Sequence, residues 1–152
     1  MKVGDTSPNF ILKDQNGEDF ELYKNLDKNI LLVFYPKDDS PVCSTQLADY
    51  NDNVADFLNY DIKLIGINTD DIQSHSKFCT KLNLNFPLLS DEDKTVSKLF
   101  NAINIFGINK RHLVLIGRDK TILWMDSTIA VTYIKTKEIV EKVKMLNLKE
   151  MT

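Results

Sequence analysis

The architecture of this chain is predicted most clearly by residues 30–45, ILLVFYPKDDSPVCST. Its first six residues are apolar, rich in strand formers and ended by Pro36, a pattern typical of a strand covered on both faces. After a short polar loop, Ser40 and Pro41 are residue types favoured at the N-cap and the first position of a helix. This stretch therefore predicts a central strand, a loop and a helix in direct succession.

The same alternation of strand and helix continues downstream. The first helix is expected to run from residue 42 to about residue 58. A second apolar run, residues 62–67, predicts another strand, and a helix over 72–82 follows it with Asp70 or Asp71 as its cap. Strands that alternate with helices imply parallel pairing through right-handed crossovers.

The remaining elements complete a mixed sheet. Two hairpins are predicted, from residues 10–12 and 20–22 around Asn16-Gly17, and from 112–116 and 121–125 around a polar turn. Two more helices are predicted, over residues 95–100 and 136–146. We therefore expect one α/β domain over residues 1–152, with a central mixed sheet flanked by helices and an N-terminal β-hairpin.

Composition limits the classes of function. The chain has 152 residues, of which 43% are apolar, enough for one hydrophobic core. Its 19 basic and 22 acidic side chains give a formal charge of −3, without the basic footprint of a nucleic-acid binder. No apolar run reaches the length of a membrane span and the first residues do not resemble a signal peptide, so we expect a cytoplasmic protein.

Cys43 is the first candidate for chemistry. It falls in the first turn of the predicted helix, where free N–H groups and the helix dipole favour a thiolate. Asp38 and Asp39 would repel that thiolate, so a positive partner such as Arg111 or Lys37 is required. The alternative is that Cys43 is a small buried apolar residue, as free cysteines often are.

The residues around Cys43 carry a family resemblance. Pro36, Ser40 and Cys43 reproduce the motif Pro-x-x-x-Thr/Ser-x-x-Cys. The other matching segments are residues 4–10 (GDTSPNF), 35–38 (YPKD), 86–91 (FPLLSD) and Lys110-Arg111 ahead of the strand at 112–116. Together they span essentially the whole chain and resemble the peroxiredoxins of the AhpC/TSA family, in particular the bacterioferritin-comigratory or Q subfamily.

The resemblance implies a thioredoxin-like fold and a thiol-dependent peroxidase that reduces hydrogen peroxide and alkyl hydroperoxides without a metal or organic cofactor. Cys43 is then the peroxidatic cysteine, which attacks the peroxide as a thiolate and becomes a sulfenic acid. By the same resemblance Arg111 stabilises the developing charge, the Ser40 hydroxyl holds the peroxide, and Pro36 shields the site. Taken singly, these three residues also fit a surface arginine, a helix cap and a strand end.

Cys79 is the candidate for the second half of the catalytic cycle, in which the Cys43 sulfenic acid is resolved. Many Q-type proteins place the resolving cysteine five positions after the peroxidatic one, but that position is Ala48 here. Another branch places it in the helix that contains Cys79, so the resemblance implies an intramolecular Cys43–Cys79 disulfide. Thioredoxin or a similar dithiol is the implied reductant, and we favour a monomer over a homodimer. The alternatives are a one-cysteine peroxidase with Cys79 in the core, or a redox-sensing protein without turnover.

Two other chemistries have less support. Cys43, His75, Cys79 and His112 are metal-ligand types, but no close ligand pair is present and both histidines are expected at the surface. A Cys-x-x-Cys disulfide reductase is disfavoured because the second cysteine position is occupied by Gln46.

Overall fold

The computed structural model of the chain describes residues 1–146, so residues 147–152 of the predicted domain lie outside the described part. The strands are β1 (Ile11–Lys13), β2 (Asp19–Glu21), β3 (Asn29–Phe34), β4 (Ile62–Asn68), β5 (Leu88–Ser90), β6 (Arg111–Ile116) and β7 (Ile122–Thr128). The helices are α1 (Pro41–Asp52), α2 (Val54–Asn59), α3 (Ile72–Leu82), α4 (Thr95–Leu99) and α5 (Thr136–Leu146), and a short 3-10 turn covers Leu22–Lys24.

The strands of the described part form one seven-stranded sheet in the order β2-β1-β5-β4-β3-β6-β7. β3 is parallel to β4 and antiparallel to β6, so the sheet is mixed, as predicted. All six residues of β3 are buried, which confirms the strand covered on both faces. The two predicted hairpins, β1–β2 and β6–β7, form the edges of the sheet. β5 was not predicted, because three residues are too short to show a period.

The core has one layer on each face of the sheet. Successive side chains of β3 alternate, so Leu31 and Val33 lie on one face while Leu32 and Phe34 lie on the other. The first layer includes side chains from α1, α2, α3 and α5, and the second includes side chains from α4 and the N-terminal segment. Cys43 belongs to the first layer. Helices thus cover both faces, as predicted.

The predicted helix from residue 42 to about 58 is wrong in one respect, because the chain breaks it at Asn53 into α1 and α2. The Asn53 side-chain amide donates to the Asp49 carbonyl at 2.7 Å, the acceptor that a continuing helix would offer to the Asn53 backbone. The Asn53 N–H bonds instead to the Tyr50 carbonyl, one residue nearer along the chain. The Asn53 side chain therefore replaces the backbone N–H as the donor to the Asp49 carbonyl, and the helix ends there.

Strand pairing places the ends of three elements together. The loop 35–40 leaves the carboxyl end of β3 and leads into α1. Because β6 runs antiparallel to β3, with Phe34 opposite His112, β6 begins where β3 ends. The first residue of β6 is Arg111, which is thereby brought to the beginning of α1. Within residues 1–146, no helix is both long and apolar enough to cross a membrane.

Candidate active site

A buried arginine contacts a buried cysteine at the beginning of α1. Cys43 is the third residue of this helix and is inaccessible to solvent. The Arg111 Nη1 atom donates to Cys43 Sγ at 3.0 Å, and Arg111 itself is 4% exposed. A positive charge at this distance, away from water, stabilises negative charge on the sulfur. Arg111 is therefore the positive partner that Cys43 requires, whereas Lys37 is exposed.

A chain of hydrogen bonds holds the guanidinium in place. Arg111 Nε donates to the Ala130 carbonyl at 2.8 Å, and Nη1 also donates to Gln46 Oε1 at 2.9 Å. Gln46 donates in turn to the Tyr50 hydroxyl at 3.2 Å, and that hydroxyl donates to the Ile134 carbonyl at 2.6 Å. Burial raises the pKa of Tyr50 well above its ordinary value, so the hydroxyl stays protonated and remains a donor. The arginine is thus oriented before any substrate arrives.

The first turn of α1 leaves backbone donors beside the sulfur. The first intrahelical bond runs from Ser44 N–H to the Ser40 carbonyl at 2.8 Å. The N–H groups of Val42 and Cys43 precede it and have no partner among residues 1–146. Ser40 is the N-cap residue, but its hydroxyl makes no capping bond and donates to the Lys37 carbonyl at 3.3 Å. The Ser40 side chain is therefore not a plain helix cap.

Each acidic residue of the loop before α1 has a hydrogen-bond partner on α3. Asp38 accepts from His75 Nδ1 at 2.6 Å, and Asp39 pairs with Lys81 Nζ at 2.5 Å. Burial acts to raise the pKa of Asp38, but the hydrogen bond and charge of His75 and the hydrogen bonds from Tyr35 and Ser74 together outweigh it, and the pKa lies below its ordinary value. Both contacts tie the loop to α3.

Both histidines are buried, so the expectation that they lie at the surface is wrong. His75 is inaccessible because α3 packs its apolar side on the sheet. His112 is 8% exposed because β6 is covered on both faces, and burial together with the charge of Lys110 lowers its pKa to about 4. In the described part of the chain, no group of three or more His, Cys, Asp or Glu side chains is arranged to hold a metal ion.

Cys79 lies in the second half of α3, half-buried against the same core layer as Cys43. Burial, together with the negative charges of Asp38 and Asp14, raises its pKa to about 11. In the reduced protein Cys79 is therefore a neutral thiol, and it becomes a good nucleophile only when it leaves this packing.

This burial gives a prediction about alkylation. At pH 8, about one in a thousand thiols with a pKa near 11 is ionised, against about a quarter for an ordinary cysteine. We expect iodoacetamide to label Cys79 of the reduced, folded protein at least about a hundredfold more slowly than Cys79 of the urea-unfolded chain. Peptide mapping at timed intervals measures both rates, and equal rates would contradict the packing described here.

The fold and the site together define a class of protein: an α/β protein with a buried cysteine at the beginning of a helix, in contact with a buried arginine. The comparisons agree with this class. The AhpC/TSA family model matches residues 3–125. The putative peroxiredoxin Bcp of Helicobacter pylori J99 is 36% identical over 119 residues, covering 76% of this chain and 77% of the relative. The peroxiredoxin Bcp of Escherichia coli K12 is 39% identical over 102 residues, covering 67% and 65%.

Solved structures agree with the sequence comparisons. Peroxidoxin BcpB of Mycobacterium tuberculosis superposes with a TM-score of 0.84 at 27% identity, covering 100% of this chain and 99% of that one. A cysteine mutant of PrxQ from Xylella fastidiosa gives 0.86 at 28% identity, covering 95% and 96%. The chain belongs to the AhpC/TSA family and is a thiol-dependent peroxidase with the thioredoxin-like fold of the Bcp and Q peroxiredoxins.

The structure brings together most of the residues singled out in the sequence. Cys43 and Arg111 are in contact, and Pro36 and Ser40 lie in the loop that leads to Cys43. Sequence reasoning missed the supporting role of Gln46, although its spacing from Cys43 places both on one face of α1. No sequence signal points to the backbone carbonyls that accept from Arg111 and Tyr50, because any residue supplies one.

Proposed function

We propose that Cys43 is the peroxidatic cysteine of this enzyme, that Cys79 resolves it, and that the substrates are hydrogen peroxide and alkyl hydroperoxides. The observation that carries the proposal is the 3.0 Å contact between Arg111 Nη1 and Cys43 Sγ. This contact stabilises the sulfur as a nucleophile and places a fixed cation where charge develops on the departing oxygen.

In the first step, the Cys43 thiolate attacks one oxygen of the peroxide and the O–O bond breaks. The sulfur becomes a sulfenic acid, and the other oxygen leaves with the electron pair and takes up a proton as water or alcohol. Arg111 and the free N–H groups of Val42 and Cys43 stabilise this negative charge, with the Ser40 hydroxyl as a further ligand for the peroxide. Pro36 shields the sulfur from bulk water.

In the second step, the Cys79 thiol attacks the Cys43 sulfenic acid, which forms a disulfide and releases water. The common core layer of the two cysteines supports this assignment. A dithiol donor of the thioredoxin type then reduces the disulfide and is itself oxidised. The half-burial of Cys79 in a regular helix favours one alternative, a one-cysteine peroxidase resolved by an external thiol.

The proposal also covers the cellular compartment, the domain organisation and the oligomeric state of the enzyme. We place it in the cytoplasm, since a thiol-dependent cycle needs a reducing compartment. Residues 1–152 act as one domain, and both cysteines belong to the same chain, so a monomer suffices for the cycle. Sedimentation of the reduced protein tests the monomer.

One experiment tests the function directly. The fully reduced protein is treated with one equivalent of hydrogen peroxide, and its intact mass and cysteine map are taken without reduction. We expect a monomer lighter by about two hydrogen atoms, with Cys43 and Cys79 joined. A gain of one oxygen on Cys43 with Cys79 free would leave a one-cysteine enzyme, and an unreacted Cys43 would overturn its assignment as the peroxidatic residue.

Replacing Cys79 with serine separates the two steps. We expect Cys79→Ser to reduce about one equivalent of peroxide at the wild-type rate and then to stop, because the sulfenic acid has no internal partner. A dimedone adduct on Cys43 measures the trapped sulfenic acid, and wild-type protein is the control. Sustained turnover of this variant with a thioredoxin-type donor would exclude the resolving role of Cys79.

A further inference from the structure

A buried aspartate–histidine pair joins the loop before Cys43 to the helix that carries Cys79. Asp38 lies in the loop between β3 and α1, and its Oδ2 atom lies 2.6 Å from Nδ1 of His75 on α3. The two side chains are 3% and 0% exposed. The first oxidation step, as described above, uses neither side chain.

His75 has a hydrogen-bond partner at each of its two ring nitrogens. Its Nε2 atom lies 3.0 Å from the Leu89 carbonyl, which can only accept, so Nε2 carries a proton. Its Nδ1 atom faces the Asp38 carboxylate, which also accepts from the Tyr35 hydroxyl at 2.6 Å and the Asn68 amide at 3.0 Å. Both ring nitrogens of His75 are therefore engaged, one by the Leu89 carbonyl and the other by the Asp38 carboxylate.

The Asp38–His75 pair joins the two elements that disulfide formation brings together, the loop that leads to Cys43 and the helix that carries Cys79. Cys79 is one helical turn after His75, on the same face of α3. A disulfide requires Cα atoms within roughly 7 Å and a relaxed geometry. Cys43 is inaccessible and Cys79 is half-buried, each in a regular helix, so we take their approach to require an opening between α3 and the loop. An opening that separates α3 from the loop breaks the His75 contact and the 2.7 Å bond from Ser74 Oγ to Asp38.

We propose that the Asp38–His75 pair is a latch that holds α3 against the Cys43 loop, and that its release sets the rate of disulfide formation. The inference rests on the proposed resolving role of Cys79. Both members are positioning residues, since they act through the separation of loop and helix. Weakening the latch makes the same opening more frequent, so the disulfide forms faster from the sulfenic acid.

The test follows each step of a single turnover by intact mass after rapid acid quench. Relative to the reduced protein, the sulfenic acid adds one oxygen, whereas the disulfide lacks two hydrogen atoms. In His75→Gln, which removes the imidazole between Asp38 and the Leu89 carbonyl, we expect disulfide formation about tenfold faster than in wild type, while Cys43 oxidation stays within about twofold. Lys81→Ala is the matched control, because the Lys81–Asp39 pair joins the same two elements but is exposed. We expect it to behave as wild type.

A second variant distinguishes the latch from general loss of structure. Ser74→Ala removes one hydrogen bond to Asp38 and, since alanine is the better helix former, stiffens α3 locally. The latch predicts faster disulfide formation in this variant, whereas helix stability alone predicts a slower one. Wild-type rates in both His75→Gln and Ser74→Ala overturn the latch and leave the proposed function intact. Absence of the disulfide in wild type overturns the resolving role and the latch with it.

Discussion

Replacement of Cys43 by serine is expected to lower peroxide reduction by roughly a thousandfold or more, to the level of a chain without a nucleophile. A hydroxyl ionises far less readily than a thiol, so no arrangement around residue 43 makes it an effective attacking group at neutral pH. The assay is consumption of hydrogen peroxide, followed through the first turnover and then with a saturating thioredoxin-type donor.

The substitution isolates chemistry from folding. Serine is close to cysteine in size, and its oxygen can accept the hydrogen bond that Arg111 gives to the sulfur. We therefore expect an unchanged far-UV spectrum and a cooperative unfolding transition. Cys79→Ser is the matched control, because it removes the other thiol and leaves the first turnover intact. Peroxide consumption near the wild-type rate in Cys43→Ser would move the nucleophile elsewhere in the molecule.

Replacement of Arg111 by glutamine is expected to slow the oxidation of Cys43 by about a hundredfold. The guanidinium donates directly to the sulfur and is held by Gln46 and the Ala130 carbonyl, so its charge is already in place when the O–O bond breaks. The measurement is the second-order rate of Cys43 oxidation in a single turnover, which is independent of the donor.

Arg111→Lys is the informative companion variant. Lysine keeps the charge but lacks the fork that serves Cys43, Gln46 and Ala130 together, so we expect a rate between those of wild type and Arg111→Gln. Unchanged rates in both variants would show that this contact is structural only. Thermal unfolding of each variant separates loss of fold from loss of rate.

Local signals account for the elements that were predicted well. Helix α3 spans Ile72–Leu82 as predicted, because Asp71 caps it through Ser74 N–H and its apolar residues recur with the helical period. The apolar run of β3 was equally clear. The break at Asn53 could not be predicted from the sequence. It depends on whether the Asn53 side chain or the Asn53 backbone N–H donates to the Asp49 carbonyl.

Sequence signals alone were sufficient to predict the local part of the site. The spacing of Pro36, Ser40 and Cys43, together with the first-turn proline, is enough to place the sulfur at the beginning of a helix after a buried strand. These are short-range properties, because caps, turns and periodicity act over a few residues.

The partners of these residues depend on long-range packing and could not be predicted from the sequence. Arg111 is 68 residues from Cys43 and reaches it through the register of β3 against β6. His75 is 37 residues from Asp38 and meets it because α3 packs on the face of the sheet that also receives α1. A histidine or an arginine looks the same in a sequence whether it is exposed or buried. Whether such a side chain is exposed or buried depends on strand register and helix packing. These in turn depend on how all apolar residues of the core are buried together.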